Sequence, residues 1–347
     1  MTERRLYLDV GAGETRGVVT LDGRPERLLI QRDGDLAVQA LGARVAARVT
    51  KLDRGSAIAF LSLGDGPDGI LNLGPDTGPL HEGQMVEIEV RSEARGGKGP
   101  TLRLIGPAEG AARLLAPNPD IAAQLQAFAR DAVIQTGPVA RSVADGAQDE
   151  ALQTIFGLPG GGTVSVEPTR ALVAIDVDLG DRPGGEAKRA ARAGNFAALG
   201  VSARVLRLKG LGGLVVIDLV GRGHDAPALL SAARAAFGPD NPGVALGAVS
   251  RFGTMEITVP RRARPAIDRL TEGGAGASVR TRALALVRAM EREALADGGG
   301  RFEARASLAV AEAAGPAMAI LTGRHGARLQ VRGEDGFADA GFEISRL

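Results

Sequence analysis

The chain has 347 residues, with 42 lysines and arginines against 41 aspartates and glutamates, three histidines and no cysteine. This length predicts two or three compact units, and a chain without cysteine has no disulfides, thiolate zinc sites or thiol nucleophiles, so a catalytic metal would depend on oxygen ligands. Because no apolar run is long enough to span a membrane and the start lacks a secretory-signal pattern, we expect a cytoplasmic protein.

The N-terminal third is predicted to be mostly β-structure. Residues 5–31 alternate apolar runs with glycine turns, which predicts a three-stranded meander. Between residues 37 and 106, five short β-patterned runs are separated by loops, and this number and length favour a small five-stranded barrel. Residues 107–135 are helical in character, with interruptions at Pro117 and Pro119.

The second half is predicted to contain an α/β layer followed by a smaller α+β unit. Two apolar strands within 162–178, a helix over 186–208 and a strand over 214–220 give the order strand, helix, strand. After a flexible joint at 271–278, strand-like pieces occur at 317–321, 327–331 and 342–347. A helix before them ends at Gly298 and has one apolar face, formed by Ala283, Val287, Met290 and Ala294.

A glycine-rich segment, GAGETRG, follows the first predicted strand. One interpretation is a nucleotide-binding hairpin that uses Asp9, Gly11 and Thr15. Phosphate-binding loops of the dinucleotide or Walker type need a helix directly afterwards, whereas here VVTL and a turn follow. The sequence therefore favours a structural hairpin in which the glycines permit a tight turn.

Three aspartates lie at the ends of apolar strands. Asp176 and Asp178 are two residues apart and share one face of a strand, and Asp218 ends the next apolar strand of the α/β layer. A carboxylate at such a position is costly unless it is paired or binds a cation, so two or three of them together predict a magnesium site able to activate water for attack on a phosphodiester. The alternative is that one aspartate caps a helix and the others face solvent.

Basic residues cluster in three segments of an otherwise balanced chain. Such clusters could neutralise nucleic-acid phosphates, or they could be solvated arginine-rich surface. The clusters are Lys188, Arg189, Arg192, Arg204, Arg207 and Lys209; Arg91, Arg95, Lys98 and Arg103; and Arg261, Arg262, Arg264 and Arg269.

The segments TRALVAIDVD, AGNFAALG, RLKGLGGLVVIDLV and VSRFGTMEI, in this order, resemble the catalytic core of the ribonuclease E/G family of endoribonucleases. The resemblance implies a DNase-I-like subdomain in which Asp176 and Asp218 hold magnesium. Asp178 stands where the family has an assisting asparagine, which adds a negative charge. Asn195 and Arg251 keep the family pattern, and Arg251 is expected to contact phosphate.

The predicted barrel resembles the RNA-binding OB domain of the same family. This implies that Phe60 and Lys98, with Arg95 nearby, help to hold single-stranded RNA by stacking and charge. The alternative for Phe60 is a place in the barrel core. Ile70 stands where the family has a second aromatic residue, so stacking should be weaker.

The resemblance implies a fold that is α/β plus all-β. An OB-fold barrel (37–106) is inserted in an RNase-H-like N-terminal sheet (1–36), and a shortened helical connector (107–150), a DNase-I-like catalytic subdomain (151–264) and a small α+β domain (276–347) follow. The family's 5′-phosphate sensor is not found. Its zinc-linking cysteines are missing, so we expect no zinc and a possible homodimer through residues 276–347 without it.

The expected function is magnesium-dependent cleavage of single-stranded RNA, with Mn²⁺ as a possible substitute. A catalytically weak or inactive RNA-binding protein on the same fold is the alternative. The predicted catalytic residues are Asp176, Asp178 and Asp218, the first and last of them as metal ligands. The predicted RNA-binding residues are Phe60, Arg95, Lys98, Asn195 and Arg251.

Overall fold

The computed structural model describes residues 3–180, 185–239, 241–273, 275–337 and 341–347. The chain divides into two compact units. The first unit comprises Met1–Asp35, Leu125–Leu152 and Ala266–Leu347, and the second comprises Leu36–Gln124 and Gln153–Pro265. The finer division into five domains expected from the sequence stays a prediction.

In the described part of the chain, nine strands precede the first α-helix, and strands and α-helices are interspersed after it. In order they are β1 (Arg4–Val10), β2 (Glu14–Leu21), β3 (Arg24–Arg32), β4 (Arg44–Asp53), β5 (Ile58–Ser62), β6 (Gly69–Asn72), β7 (Met85–Ser92), β8 (Thr101–Pro107), β9 (Arg113–Ala116), α1 (Ile121–Phe128), β10 (Ile134–Gln135), α2 (Pro138–Leu152), β11 (Ile155–Gly157), β12 (Thr163–Pro168), β13 (Val173–Asp178), α3 (Gly185–Lys209), β14 (Gly213–Asp218), α4 (Ala226–Phe237), β15 (Ala245–Val249), β16 (Thr254–Val259), α5 (Ala266–Thr271), α6 (Val279–Ala296), β17 (Phe302–Ser307), α7 (Leu308–His325), β18 (Leu329–Glu334) and β19 (Phe342–Arg346).

The first unit contains the predicted meander and a second, three-stranded sheet. Strands β1, β2 and β3 pair antiparallel as expected, and β10 adds to β1 in parallel. In the second sheet β17 lies between β18 and β19. The helix predicted with one apolar face is α6, and Ala283, Val287, Met290 and Ala294 are all buried in the core of this unit.

One predicted strand of the first unit is wrong. Residues 317–321 lie inside α7. Ala314, Ala317, Met318 and Leu321 are buried at helical spacing, and this spacing buries one stripe of a helix. A short apolar run alone does not distinguish a strand from a buried helix.

The glycine-rich segment forms a structural hairpin between β1 and β2. The nucleotide-binding interpretation needs a free Asp9, but this side chain is 4% exposed. Its carboxylate accepts hydrogen bonds from Arg16 Nη2 at 2.6 Å and from Arg141 Nε at 3.1 Å. Because Asp9 already neutralises buried guanidinium groups, it is not available to a nucleotide.

The second unit contains a closed ring of five strands. The strands pair in the order β5, β6, β8, β7 and β4, and β4 also pairs with β5, which closes the ring. These are the five runs expected from the sequence. Alternate residues such as Val45, Leu61 and Ile88 point inward and are fully buried.

The segment that follows the ring is only partly helical. Residues 121–128 form α1, whereas Arg113–Ala116 form β9, which pairs antiparallel with β4. The helical expectation for 107–135 is therefore wrong over this stretch. The first residues of β4 decide it. Residues 44–46 pair with β7 on one side and precede the part of β4 that pairs with β5, so their other edge offers backbone hydrogen bonds to an extended segment nearby.

The second unit also contains a six-stranded mixed sheet in the order β11, β12, β13, β14, β16 and β15. Helix α3 connects β13 to β14, which are parallel, as the pattern strand, helix, strand predicted. Across the described residues, no helix is both long and apolar enough to cross a membrane.

Candidate active site

One face of the mixed sheet is apolar and the other is open and polar. Along β13, Val173, Ile175 and Val177 are buried, whereas Asp176 and Asp178 are exposed. The same alternation along β14 buries Ile217 and exposes Asp218. Because side chains alternate along a strand, all three aspartates lie on the open face.

Asp176 and Asp218 are direct register partners on β13 and β14. Neighbouring strands lie about 4.8 Å apart, so the two carboxylates project side by side from adjacent strands. Like charges at such positions destabilise a sheet. A cation between them would remove this repulsion, which makes the pair a candidate metal site.

The pair is flanked by hydroxyl groups in the same row. The register runs Ser165, Asp176, Asp218, Thr254 across β12, β13, β14 and β16. Within the described parts of the chain, no group of three or more histidine or acidic side chains is placed to hold a metal. The donor set is therefore a carboxylate pair, which suits Mg²⁺, because this ion keeps several waters and is commonly held by one or two carboxylates together with substrate phosphates.

Asp178 shares the face but its carboxylate is partly used elsewhere. Its Oδ1 accepts a hydrogen bond from the Gly180 backbone N–H at 2.8 Å, and its register partner is Thr163. The side chain thus fixes the turn that leaves β13. An asparagine at this position could accept the same bond without the charge.

Asn195 is buried and joins α3 to the end of β14. It is 2% exposed. Its Nδ2 donates to the Val220 carbonyl, and its Oδ1 accepts from the Val220 N–H, each at 3.0 Å. Both ends of the amide are used by the backbone of one residue, which is the geometry of a positioning residue. The RNA contact expected for Asn195 stays a prediction.

Arg251 lies in the turn between β15 and β16. This turn is at the end of the sheet where β14 stops at Asp218. The guanidinium carbon of Arg251 is 4.7 Å from the centroid of the Phe252 ring, and both residues are exposed. The turn is tied to the strand that carries Asp218, because the Leu219 N–H donates to the Gly253 carbonyl at 3.1 Å.

Sequence reasoning missed a further carboxylate on the open face. Glu256 is exposed on β16 and is the register partner of Val216, two residues before Asp218. The alternation of apolar and polar residues could have identified Glu256, because the apolar residues Met255, Ile257 and Val259 on this strand are buried. The same alternation places Thr254 beside Asp218.

Only some of the basic residues on α3 are exposed to solvent. Lys188, Arg189 and Arg192 are exposed in its first half, and Arg192 forms an ion pair of 3.1 Å with Asp225. Lys209 is 1% exposed, and burial lowers the pKa of Lys209 to about 8. Its ammonium donates to the Gln153 carbonyl, so this residue is structural.

The other two basic clusters are also partly engaged. Arg91 and Arg103 both pair with Glu89. Arg261 Nε donates to the Gly212 carbonyl at 2.5 Å, and Arg269 pairs with Asp35 at 2.7 Å. These contacts reduce the charge that either cluster can offer to phosphate.

Phe60 lies on the outer face of the five-stranded ring. Its neighbours Ala59 and Leu61 point into the buried core, whereas Phe60 is half-buried. Its register partners on either side are Lys51 and Ile70. Phe60 therefore does not lie in the core of the ring.

Arg95 and Lys98 lie on the hairpin between β7 and β8. Their backbones exchange two hydrogen bonds, of 3.0 and 2.9 Å, and both residues are exposed. Close to this hairpin, Glu93 joins the ring to the segment after β16. Its N–H donates to the Arg262 carbonyl at 2.8 Å, and its carboxylate accepts from the Arg264 N–H at 2.7 Å.

The sequence of this region matches a known family. Residues 121–262 match the family model described as the Ribonuclease E/G family. This range contains Asp176, Asp178, Asn195, Asp218 and Arg251. The ring lies outside it, so the comparison carries no information about Phe60, Arg95 or Lys98.

Three curated relatives each align with about a third of the chain. Ribonuclease E of Haemophilus influenzae is 34% identical over 116 residues, which is 33% of this chain and 12% of that protein. Ribonuclease E of Escherichia coli is 34% identical over 116 residues, 33% of this chain and 11% of that protein. The chloroplastic ribonuclease E/G-like protein of Arabidopsis thaliana is 34% identical over 115 residues, 32% of this chain and 11% of that protein. The alignments thus span roughly an eighth or less of these relatives.

Proposed function

Because this chain belongs to the ribonuclease E/G family, we propose that it is an endoribonuclease that cleaves single-stranded RNA with the help of Mg²⁺. The observation that carries the proposal is the register pairing of Asp176 with Asp218 on an open sheet face. Two carboxylates side by side repel each other unless a cation or a proton separates them.

Asp176 and Asp218 would hold Mg²⁺, or Mn²⁺ in its place. The ion would supply polarisation of the phosphodiester and activation of a water molecule for attack. Arg251, in the turn next to the end of β14, holds a phosphate of the RNA backbone through its guanidinium group. Asn195 keeps the end of β14 in place and thereby fixes the position of Asp218.

The five-stranded ring is proposed to capture the RNA as an OB-type barrel. Phe60 offers a ring on which a base can stack, with the charge of Lys51 beside it. Arg95 and Lys98 on the exposed hairpin supply charge for the backbone. Ring and carboxylates belong to the same compact unit, and Glu93 links the ring to the segment after β16.

The test is cleavage of a 5′-labelled, AU-rich single-stranded RNA with and without Mg²⁺, by wild type, Asp176→Asn and Asp218→Asn. Glu167→Gln is the matched control, because Glu167 is an exposed carboxylate of β12 on the same face. We expect magnesium-dependent cutting by wild type and the control, and at least a hundredfold loss in both aspartate variants with RNA binding retained. Wild type that binds RNA in Mg²⁺ but does not cut it would instead be an RNA-binding protein on this fold.

Dimerisation through residues 276–347 also stays a proposal. The helices α6 and α7 of this segment carry exposed apolar residues, among them Leu295 and Leu308. Sedimentation velocity over a hundredfold range of concentration tests it. A sedimentation coefficient that does not change and fits a monomer would contradict it.

A further inference from the structure

The turn between β15 and β16 presents an aromatic ring to solvent. Phe252 is 75% exposed. A single exposed apolar residue is common on protein surfaces, so exposure alone does not indicate a function. Its surroundings distinguish it from an ordinary surface residue.

The backbone of this turn is held by a dense set of hydrogen bonds. Ser250 N–H donates to the Thr254 carbonyl at 2.8 Å, and Gly253 N–H donates to the Ser250 carbonyl at 3.1 Å. The Phe252 N–H donates to Ser250 Oγ at 3.2 Å. Gly253 has φ of +89°, which favours glycine and closes the turn. The ring is therefore presented from an ordered backbone, which lowers the entropy lost when a ligand binds.

The turn lies beside the end of β14, which carries Asp218 of the carboxylate pair. Thr254, two residues after Phe252, is the register partner of Asp218. The Gly253 carbonyl accepts from the N–H of Leu219, the residue directly after Asp218. A molecule whose reacting group lies at Asp176 and Asp218 thus has its neighbouring part next to this turn.

The ring already has a cation on one side. Arg251 lies 4.7 Å from the Phe252 centroid, a distance typical of a cation–π contact. A flat ring backed by a guanidinium group suits a second flat π-system, and a nucleotide has one beside each phosphate. Stacking on an aromatic ring is how proteins commonly hold unpaired bases.

We propose that Phe252 is the stacking platform for one nucleobase adjacent to the phosphodiester held at Asp176 and Asp218. This inference rests on the proposed function, because it takes single-stranded RNA as the substrate. Arg251 stiffens the platform while its charge faces the flanking phosphate. The platform holds a base by its face, so it fixes the position of the cut relative to an unstacked base and tolerates different bases at that position.

The test is a set of RNAs of one sequence in which a single abasic nucleotide replaces each position around the cut in turn. For wild type, Phe252→Ala, Phe252→Trp and Ile155→Ala, both kcat/KM in Mg²⁺ and the dissociation constant in EDTA are measured. Ile155 is the matched control, because it is a 60% exposed apolar residue on β11, at the opposite edge of the same sheet.

One abasic position should reduce wild-type kcat/KM, or affinity, between roughly fivefold and a hundredfold, the range of one base–aromatic stack. On intact RNA, kcat/KM or affinity of Phe252→Ala should fall by a similar factor, and the abasic nucleotide at that position should cause no further fall. Phe252→Trp and Ile155→Ala should behave as wild type does. Phe252→Ala within twofold of wild type on intact RNA, or a loss that adds to the abasic loss at every position, would overturn the proposal. If wild type does not cut at all, the proposed endoribonuclease activity fails, and the same comparison of dissociation constants still decides the stacking role.

Discussion

Asn195 and Val220 form two reciprocal hydrogen bonds, from Nδ2 to the carbonyl and from the N–H to Oδ1, each of 3.0 Å. The pair joins α3 to the segment directly after Asp218. Since both bonds are made to the backbone of one residue, they fix where β14 ends and how its last side chain is presented.

Asn195→Ala should lower the free energy of unfolding by about 2–4 kcal/mol, because the partly buried backbone N–H and carbonyl of Val220 each lose a hydrogen bond. Asn195→Asp should also be destabilising, since a carboxylate oxygen would face the Val220 carbonyl in place of the amide donor and its charge would be buried. Urea unfolding measures the cost, and the Mg²⁺ concentration for half-maximal cleavage reports on Asp218. Asn72→Ala, at an exposed asparagine of β6 in the same unit, is the control. An unchanged Mg²⁺ requirement in a folded Asn195→Ala would contradict the positioning role.

Asp178→Asn should leave the fold intact and weaken the site's attraction for cations. Asparagine Oδ1 can accept the bond that Gly180 N–H now makes with Asp178, but one negative charge near the pair is lost. At separations of several ångströms in a solvated site, a unit charge changes the affinity for a divalent ion by roughly three- to tenfold. Titration of the cleavage rate with Mg²⁺ measures the shift, and a lower requirement in the variant would refute it.

Phe60 and Leu61 are consecutive residues with opposite expected effects. Leu61 is fully buried in the ring, so Leu61→Ala should cost about 2–5 kcal/mol of stability. Phe60 lies on the outer face, so Phe60→Ala should leave stability nearly unchanged and weaken RNA binding by roughly tenfold. Thermal unfolding and RNA titration are measured on both variants. A Phe60→Ala protein with wild-type RNA affinity would exclude Phe60 as a stacking residue.

Gly13 is needed for both its backbone conformation and its lack of a side chain. Its φ is +81°, and a Cβ would lie 2.9 Å from Ala317 Cβ. Gly23 has a similar φ of +78° but open space around it. Gly23→Ala should therefore cost about 1–2 kcal/mol for the left-handed conformation alone, and Gly13→Ala about 1–3 kcal/mol more for overpacking. Equal urea midpoints for the two variants would show that the contact with Ala317 is unimportant.

The buried ion pairs around Asp9 should make stability depend on pH. Burial alone would raise the pKa of Asp9, but the guanidinium groups of Arg16 and Arg141 lower it below its ordinary value. The stability that this carboxylate contributes is therefore present above the ordinary carboxyl pKa and is lost as the pH falls through the lowered value. Asp9→Asn should cost about 3 kcal/mol at pH 7 and weaken the fall in stability at acid pH. Urea midpoints from pH 7 to pH 3 test this, with the exposed Asp33→Asn as control.

The sequence was sufficient to predict the strands of the meander, the five runs of the ring and the α/β layer. In each of these, apolar residues alternate or recur at one period over several residues, so local pattern and final packing agree. It also placed Asp176 and Asp218 at the ends of two neighbouring strands, because a strand, a helix and a strand in sequence give a parallel pair.

Which side chains are free to bind or react depends on contacts that form only in the folded chain. The register of β13 and β14 made Asp176 and Asp218 direct partners, the amide of Asn195 was taken by Val220, and Asp9 was taken by two arginines. Residues 113–116 form a strand because residues 44–46 of β4 have an edge that β5 does not cover. Each of these outcomes depends on a partner distant in sequence. Hydrogen bonds and ion pairs with such partners produce no periodic pattern of residues that could be recognised in the sequence.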